Sequence, residues 1–182
     1  MAMDLSKFYI TEIRRALKDS LKEDEKVILL GEDIRDPFGG CFKVTMGLSK
    51  QFPERVINTP ISEAAIVGLS TGLALRGFKP IVEIMFYDFM TLALDQILNQ
   101  MMNFKKLWNI DLNITIRTAI GNESYGATHC QNLDYIFRDI ITIVHPTLKD
   151  DVYLLLKSAI QENKPILFVE ESKLYKEKLK CR

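Results

Sequence analysis

The sequence predicts a three-layer α/β fold, with about six strands in a mainly parallel sheet and helices packed on both of its faces. Short, continuously apolar runs alternate along the 182 residues with longer segments in which apolar residues recur at helical spacing. Strands that are apolar throughout, rather than at every second position, are typical of parallel sheets covered on both faces. No internal repeat or low-complexity segment is evident, so we expect one domain of ordinary size.

Six apolar runs are the predicted strands. In chain order they are Val27–Leu30, Val56–Asn58, Pro80–Phe86, Asn113–Thr118, Ile141–Val144 and Pro165–Glu170. The fourth run is rich in β-branched residues, which favour extended structure. Ligands of open parallel sheets lie beyond the carboxyl ends of the strands, so the residues that follow these runs are the first candidates for function.

The segments between the strands show the periodicity of helices. They predict helices over Phe8–Leu21, Gly47–Gln51, Ala64–Leu75, Phe89–Leu107, Leu133–Phe137 and Thr147–Ile160. The third helix consists almost entirely of small and apolar residues, which predicts burial on every side. Thr147-Leu148-Lys149-Asp150 resembles a capping box with Asp in place of Glu, and it predicts the start of the last helix. The charged tail from Ser172 to Arg182 is expected to be solvated.

Composition and charge argue against several classes of protein. The 24 basic and 24 acidic residues give a formal net charge of zero, which disfavours a nucleic-acid-binding face built on bulk positive charge. No apolar run reaches the length of about 18 residues that a membrane span needs, and charged residues interrupt any signal-like run at the N-terminus. Cys41, Cys130 and Cys181 show neither metal nor disulfide spacing, so we expect a reducing cytoplasm.

The segment from Asn58 to Gly68 places one acidic residue, Glu63, between a strand-like run and the apolar helix. A carboxylate at the mouth of a buried helix is partly desolvated, and such groups are costly unless they are paired or take part in function. The helix N-terminus favours the anion, whereas burial favours the neutral acid. The sequence leaves that balance open.

Several strings lie along nearly the whole chain. In order they are Leu30-Gly31-Glu32-Asp33, Gly39-Gly40-Cys41-Phe42-Lys43-Val44-Thr45, Thr59-Pro60-Ile61-Ser62-Glu63, Glu83-Ile84-Met85-Phe86-Tyr87-Asp88-Phe89-Met90, Ala93-Leu94-Asp95-Gln96-Ile97-Leu98-Asn99-Gln100, Ile116-Arg117-Thr118-Ala119-Ile120-Gly121 and His129-Cys130-Gln131. Together they resemble the beta subunit of the thiamine-diphosphate-dependent 2-oxo acid dehydrogenases. The resemblance implies that residues 1–182 form a transketolase-like pyrimidine-binding domain, and that the family's C-terminal transketolase domain is absent from this sequence.

The resemblance assigns roles to four residues. Glu63 matches the family glutamate that shares a proton with a ring nitrogen of the cofactor's aminopyrimidine. Met85 and Phe89 match positions that line this ring, and a thioether and an aromatic side chain suit a flat ligand. His129 matches a histidine near the substrate, where it would bind a carboxylate or carry a proton. The structural alternatives are a first-turn glutamate, plain core packing for Met85 and Phe89, and a histidine on a surface loop.

One motif of the cofactor superfamily is missing. We find no Gly-Asp-Gly followed by Asn-Asn, the pattern by which this superfamily binds magnesium and diphosphate. The resemblance therefore implies an alpha subunit that carries the diphosphate and Mg²⁺ site, with no metal ligand on this chain and thiamine diphosphate shared between the two. Gly68 and Gly72 form a small-xxx-small pair, which fits either self-association or tight packing within the domain. A lipoyl acyltransferase is a further implied partner.

The leading hypothesis is an enzyme half-site that decarboxylates a 2-oxo acid and passes on the acyl group, active only with a diphosphate-binding partner. The alternatives are a subunit of a split transketolase or acyloin-type carboligase, and a non-catalytic assembly module. The chain departs from the family pattern at Phe104–Asn109 and at Cys130, which stands in place of the usual serine. These departures leave the substrate and the acyl acceptor open.

Overall fold

The computed structural model describes residues 7–180 and contains a sheet of six parallel strands in the order β2-β1-β3-β4-β6-β5. The strands are β1 (Val27–Gly31), β2 (Val56–Asn58), β3 (Lys79–Ile84), β4 (Thr115–Ile120), β5 (Thr142–Val144) and β6 (Ile166–Glu171). The predicted fold class is confirmed, and each predicted strand is present with its ends shifted by at most two residues. Shifts of this size are normal at strand ends, where hydrogen bonding stops gradually.

Helices cover both faces of the sheet. They are α1 (Tyr9–Glu23), α2 (Leu48–Gln51), α3 (Glu63–Leu75), α4 (Asn103–Trp108), α5 (Asp134–Phe137) and α6 (Val152–Gln161). On one face α1 packs against α6, and on the other α3 packs against the segment Tyr87–Met101. An apolar cluster fills each of the two interlayer spaces, which gives the three-layer arrangement. Within residues 7–180, no helix combines the length and apolar content needed to cross a membrane.

The region predicted as one helix, Phe89–Leu107, is a series of three helical types. Tyr87–Ala93 is a 3₁₀-helix, Gln96–Met101 is π-helical, and Asn103–Trp108 is α-helical. The buried side chains explain the change, because Tyr87, Met90 and Ala93 recur every three residues while Ala93, Ile97 and Met101 recur every four. A 3₁₀ turn of three residues keeps the first set facing the core, and the wider turns that follow keep the second set there.

The prediction that α3 is buried on every side is wrong for this chain. Its inner face, including Ile66 and Val67, is buried, but Ala65, Leu69, Gly72 and Leu75 form an exposed apolar stripe. We call these four residues the α3 stripe. The two glycines of the helix also differ in their surroundings: a Cβ on Gly68 would lie 3.1 Å from the Oε1 atom of Gln96, whereas one on Gly72 would meet nothing within 4 Å.

Two predictions near the C-terminus also differ in part from the structure. The last helix begins at Val152, because Asp151 caps it by accepting a hydrogen bond from the backbone N–H of Leu154. Thr147 and Asp150 instead close a turn, in which Thr147 donates to the Asp150 carboxylate through its backbone N–H and its hydroxyl. In the described part of the tail, 172–180, the charged side chains are exposed as expected, but Tyr175 is buried and the backbone pairs with residues 7–10 and 148, so the segment is attached to the domain.

Candidate functional site

Glu63 begins α3 at the carboxyl edge of the sheet. The backbone N–H of Thr59 donates to the carbonyl of Gly31, which ties the end of β2 to the end of β1, and Ser62 caps the helix through the N–H of Ala65. The Glu63 residue is only 8% exposed. A nearly buried carboxyl group at a helix N-terminus is held where the helix dipole favours its negative charge.

Glu32 brings a second carboxyl group to the same place. It follows β1, the strand beside β2, and its Oε1 atom is buried without a hydrogen-bond partner among residues 7–180. Burial raises the pKa of Glu32, and the neighbouring charges of Glu63 and Asp33 raise it further. Both burial and the charge of Glu63 therefore favour the protonated form of Glu32 at this edge.

An aromatic cluster surrounds His129 at the ends of β3 and β4. The imidazole ring centre lies 4.7 Å from that of Phe86 and 5.2 Å from that of Phe89, both edge to face. The backbone N–H of Gly121 donates to the His129 carbonyl at 2.9 Å. Only glycine fits at position 121, because a Cβ there would lie 2.2 Å from the same carbonyl oxygen.

The other side of the His129 loop is held by Asp88. This carboxylate is 8% exposed and accepts hydrogen bonds from the side chain of Gln131 at 2.6 Å and from its backbone N–H at 3.3 Å. The Nδ1 atom of His129 lies 3.1 Å from the Thr128 hydroxyl. The loop is therefore fixed on both sides of the histidine, which orients the imidazole before any ligand arrives.

A buried ion cluster lies under this edge, on the side of α1 and α6. Arg117 donates two hydrogen bonds to Glu170, at 2.7 and 3.0 Å, and one to Glu83 at 2.8 Å, while the Tyr175 hydroxyl donates to Glu170 at 2.8 Å. Burial opposes the charge of Arg117, but the carboxylates Glu170 and Glu83 outweigh it and raise the pKa of the guanidinium above its usual value. The cluster ties three neighbouring strands together, so it sets the shape of the edge above it.

The structure brings some predicted site residues together and separates others. Phe89 and His129 are in ring contact, whereas Glu63 lies with Glu32 at the β2–β1 side of the edge. With strands about 4.8 Å apart, the ends of β2 and β4 are separated by roughly 14 Å. Met85 lines a cavity of about 10 Å³ beside Arg117, and its place beside a pyrimidine ring stays a prediction.

Four residues of the site received no role from the sequence: Glu32, Phe86, Asp88 and Gly121. All four lie within strings that resemble the family, so the resemblance pointed to their neighbourhood. Their contacts join segments far apart in the chain, such as Asp88 with Gln131, and no periodicity encodes such a pair. Among residues 7–180 no cluster of His, Cys, Asp and Glu side chains could hold a metal ion.

Fold and site together define a class of protein. It is an open parallel α/β domain that carries a buried and a partly buried carboxyl group, Glu63 and Glu32, and an aromatic–histidine cluster at the carboxyl edge, where such sheets bind ligands. The sequence profile of the family described as transketolase, pyrimidine binding domain, matches residues 8–178. The chain belongs to this family, and the resemblance found in the sequence is confirmed.

Relatives with similar sequences include beta subunits of dehydrogenases. The chain is 37% identical over 174 residues to the 2-oxoisovalerate dehydrogenase subunit beta of Bacillus subtilis (strain 168). This alignment covers 92% of this chain and 53% of that protein. It is 38% identical over 173 residues to the pyruvate dehydrogenase E1 component subunit beta of Staphylococcus epidermidis, with 92% and 53% covered. The chain thus spans about half the length of the curated relatives it matches.

Solved structures share the fold at lower sequence identity. A split-gene transketolase, described as an inactive beta4 tetramer, aligns with a TM-score of 0.73 at 22% identity over 90% of this chain and 50% of that chain. A transketolase from Campylobacter jejuni aligns with a TM-score of 0.69 at 17% identity over 90% of this chain and 25% of that chain. At these identities the likeness concerns the fold alone.

Proposed function

We propose that this chain is the pyrimidine half-site of a thiamine-diphosphate-dependent 2-oxo acid dehydrogenase, active with a diphosphate-binding partner. The observation that carries the proposal is Glu63, a carboxyl group that is almost fully buried at the carboxyl edge of a pyrimidine-binding-family domain. Thiamine diphosphate, when bound, supplies a nucleophilic carbon and accepts the electron pair released on decarboxylation. The relatives' names, which include 2-oxoisovalerate and pyruvate dehydrogenase beta subunits, support a 2-oxo acid as substrate.

The residues of this chain fit the pyrimidine end of that cofactor. Glu63 would share a proton with a ring nitrogen, and Glu32 would lie beside it with a pKa that burial and the charge of Glu63 raise. Phe89 and Met85 would flank the ring, and Phe86 packs behind His129. His129 would face the substrate and bind its carboxylate or carry a proton. The residues therefore divide into a cofactor side and a substrate side of one edge.

The exposed α3 stripe supports a subunit partner. Leu69 is 51% exposed, and Ile61, just before the helix, is 82% exposed. Apolar side chains grouped beside a half-site form a surface that another chain would cover. We propose that an alpha subunit with the diphosphate and Mg²⁺ site binds here, that the complex self-associates, and that a lipoyl acyltransferase accepts the acyl group.

Cys41 and Cys130 are free thiols, which fits a cytoplasmic protein.

The test is to replace Glu63 with Gln and assay 2-oxo acid decarboxylation by the complex with its partner. Gln keeps the size of the side chain but cannot exchange the proton, so kcat should fall by about 100-fold or more. Glu54→Gln, a matched change at an exposed glutamate, should leave kcat unchanged. Unchanged turnover in the Glu63 variant would contradict the proposal and favour a non-catalytic assembly module.

A further inference from the structure

A cleft of about 420 Å³ opens between the loop that follows β1, the loop that precedes His129 and the C-terminal tail. Its volume is in the range of small-molecule binding sites, about 300–1,000 Å³. Its lining includes none of the four predicted site residues, namely Glu63, Met85, Phe89 and His129. The proposed half-site therefore does not account for it.

The charged residues that line the cleft are all basic. They are Lys43, Lys173 and Lys176, on a chain whose formal net charge is zero. Lys173 pairs with Glu171 at 2.5 Å, and the Lys43 ammonium donates to the carbonyl of Phe38 at 2.8 Å. Even with one lysine neutralised by its partner, the lining keeps an excess of positive charge, which attracts anions.

The neutral polar groups of the cleft complement an anion as well. The Oγ atom of Ser172 is buried and has no hydrogen-bond partner among residues 7–180, although buried hydroxyls are normally paired. The amide oxygen of Asn122 accepts from the backbone N–H of Ser124, which leaves its NH₂ group to donate. Ammonium, hydroxyl and amide donors around one space match a ligand rich in oxygen acceptors, such as a phosphate.

One wall of the cleft is aromatic and rigid. The Phe42 ring lies 5.2 Å from Tyr175 and 6.0 Å from Tyr125, and Tyr125 is itself 47% exposed. Arg14 holds the adjoining backbone by donating to the carbonyls of Lys43 and Val44. A fixed aromatic surface beside cationic groups favours a ligand that has both a planar ring and a negative charge.

We propose that this cleft binds an organic phosphate that carries an aromatic ring, of the nucleoside diphosphate class. The phosphates lie against Lys173, Lys176 and the Ser172 hydroxyl, and the ring packs on Tyr125. This inference does not depend on the function proposed above.

The experiment is calorimetric titration of the full-length chain with ADP, pyrophosphate and adenosine, at low and at moderate salt. ADP should bind saturably, about tenfold more tightly than pyrophosphate, and more weakly as salt increases. The double variant Lys173→Gln/Lys176→Gln should lose about tenfold or more in ADP affinity. Lys18→Gln/Lys22→Gln, which changes two exposed lysines on α1 and has the same net charge, should bind like the wild type.

Three results would overturn the proposal. They are the absence of saturable ADP binding, equal losses in the two double variants, and pyrophosphate binding as tightly as ADP. A Ser172→Ala variant should weaken ADP binding by a smaller factor, about threefold, because it removes one neutral donor. Thermal unfolding of each variant establishes that it is folded before it is titrated.

Discussion

At the scale of single residues, Glu32 and Glu63 bring two acids to one poorly solvated place. Glu32 lies in the segment Leu30-Gly31-Glu32-Asp33, which resembles the family, yet no role could be predicted for it. The reason is that its partner is 31 positions away, at the end of another strand, and only the pairing of β1 with β2 brings them together. Glu63, Met85, Phe89 and His129 all lie in strings that resemble the family, and the roles assigned to these four residues stay predictions.

The raised pKa of Glu32 predicts how stability depends on pH. The folded chain holds the proton of this acid more tightly than the unfolded chain does, so ionised Glu32 lowers stability above its ordinary pKa near 4.5. Glu32→Gln should therefore raise the free energy of unfolding near neutral pH and have less effect near pH 4, where the acid is mostly protonated in both states. Urea unfolding at both pH values measures this. An equal effect of the substitution at the two pH values would contradict it, and the exposed Glu54→Gln is the control.

At the scale of elements, the sequence predicted the strands better than the helices. Continuous apolar runs identify buried parallel strands directly, but helical periodicity does not distinguish α-helical from 3₁₀ or π turns. The segment Tyr87–Met101 changes its helical type because core contacts decide which residues face inward. The exposure of the α3 stripe could not be predicted either. An apolar helix has the same sequence pattern whether it is covered by its own domain or by another chain.

The exposed α3 stripe leads to a prediction about association with the partner subunit. Leu69→Glu should weaken association with the diphosphate-binding partner by about tenfold or more, because it places a charge in an apolar interface. It should leave the unfolding of the isolated chain nearly unchanged, since Leu69 is already 51% exposed. Leu154→Glu, at a residue of α6 that is 57% exposed, is the matched control for copurification and binding measurements. Equal affinities of the two variants would remove the stripe from the interface.

Gly121 gives a prediction for the loop that carries His129. Gly121→Ala should reduce the free energy of unfolding by about 1–3 kcal/mol, because the added Cβ would lie 2.2 Å from a backbone oxygen that cannot rotate away. Gly72→Ala has open space around it and should stabilise the isolated chain by about 0.5–1 kcal/mol through helix propensity. Chemical denaturation of both variants measures the difference. Similar free energies of unfolding for the two would show that the His129 loop can shift to accommodate the added methyl group at little cost.

At the scale of the whole molecule, the Arg117 cluster joins the centre of the sheet to the C-terminal tail. The sequence predicted the six strands and the carboxyl edge, but it did not predict the carboxylate partners of Arg117 in the fourth strand. Arg117 lies in a run read as a buried strand, and an arginine is accommodated there only because two carboxylates from flanking strands meet it. Such a cluster depends on the register between β3, β4 and β6, which is a property of the assembled sheet.

Removal of the Arg117 side chain should therefore destabilise the fold strongly. Arg117→Met should lower the free energy of unfolding by about 3–5 kcal/mol, because it leaves the buried Glu170 and the partly buried Glu83 without their countercharge. Arg138→Met, at a side chain that is 68% exposed, should change it by less than about 0.5 kcal/mol. Urea unfolding provides both values. A loss below about 1 kcal/mol for Arg117→Met would mean that the cluster contributes little to holding the sheet together.

The central claim is that the Glu63 carboxyl group moves a proton at the pyrimidine ring of thiamine diphosphate. The most direct measurement is the rate at which solvent deuterium replaces the proton on the reactive carbon of the cofactor, in the complex of this chain with its partner. The wild-type complex should exchange this proton much faster than the free cofactor does, and Glu63→Gln should slow the exchange by about 100-fold or more. Exchange at the wild-type rate in the Glu63→Gln complex would contradict the claim.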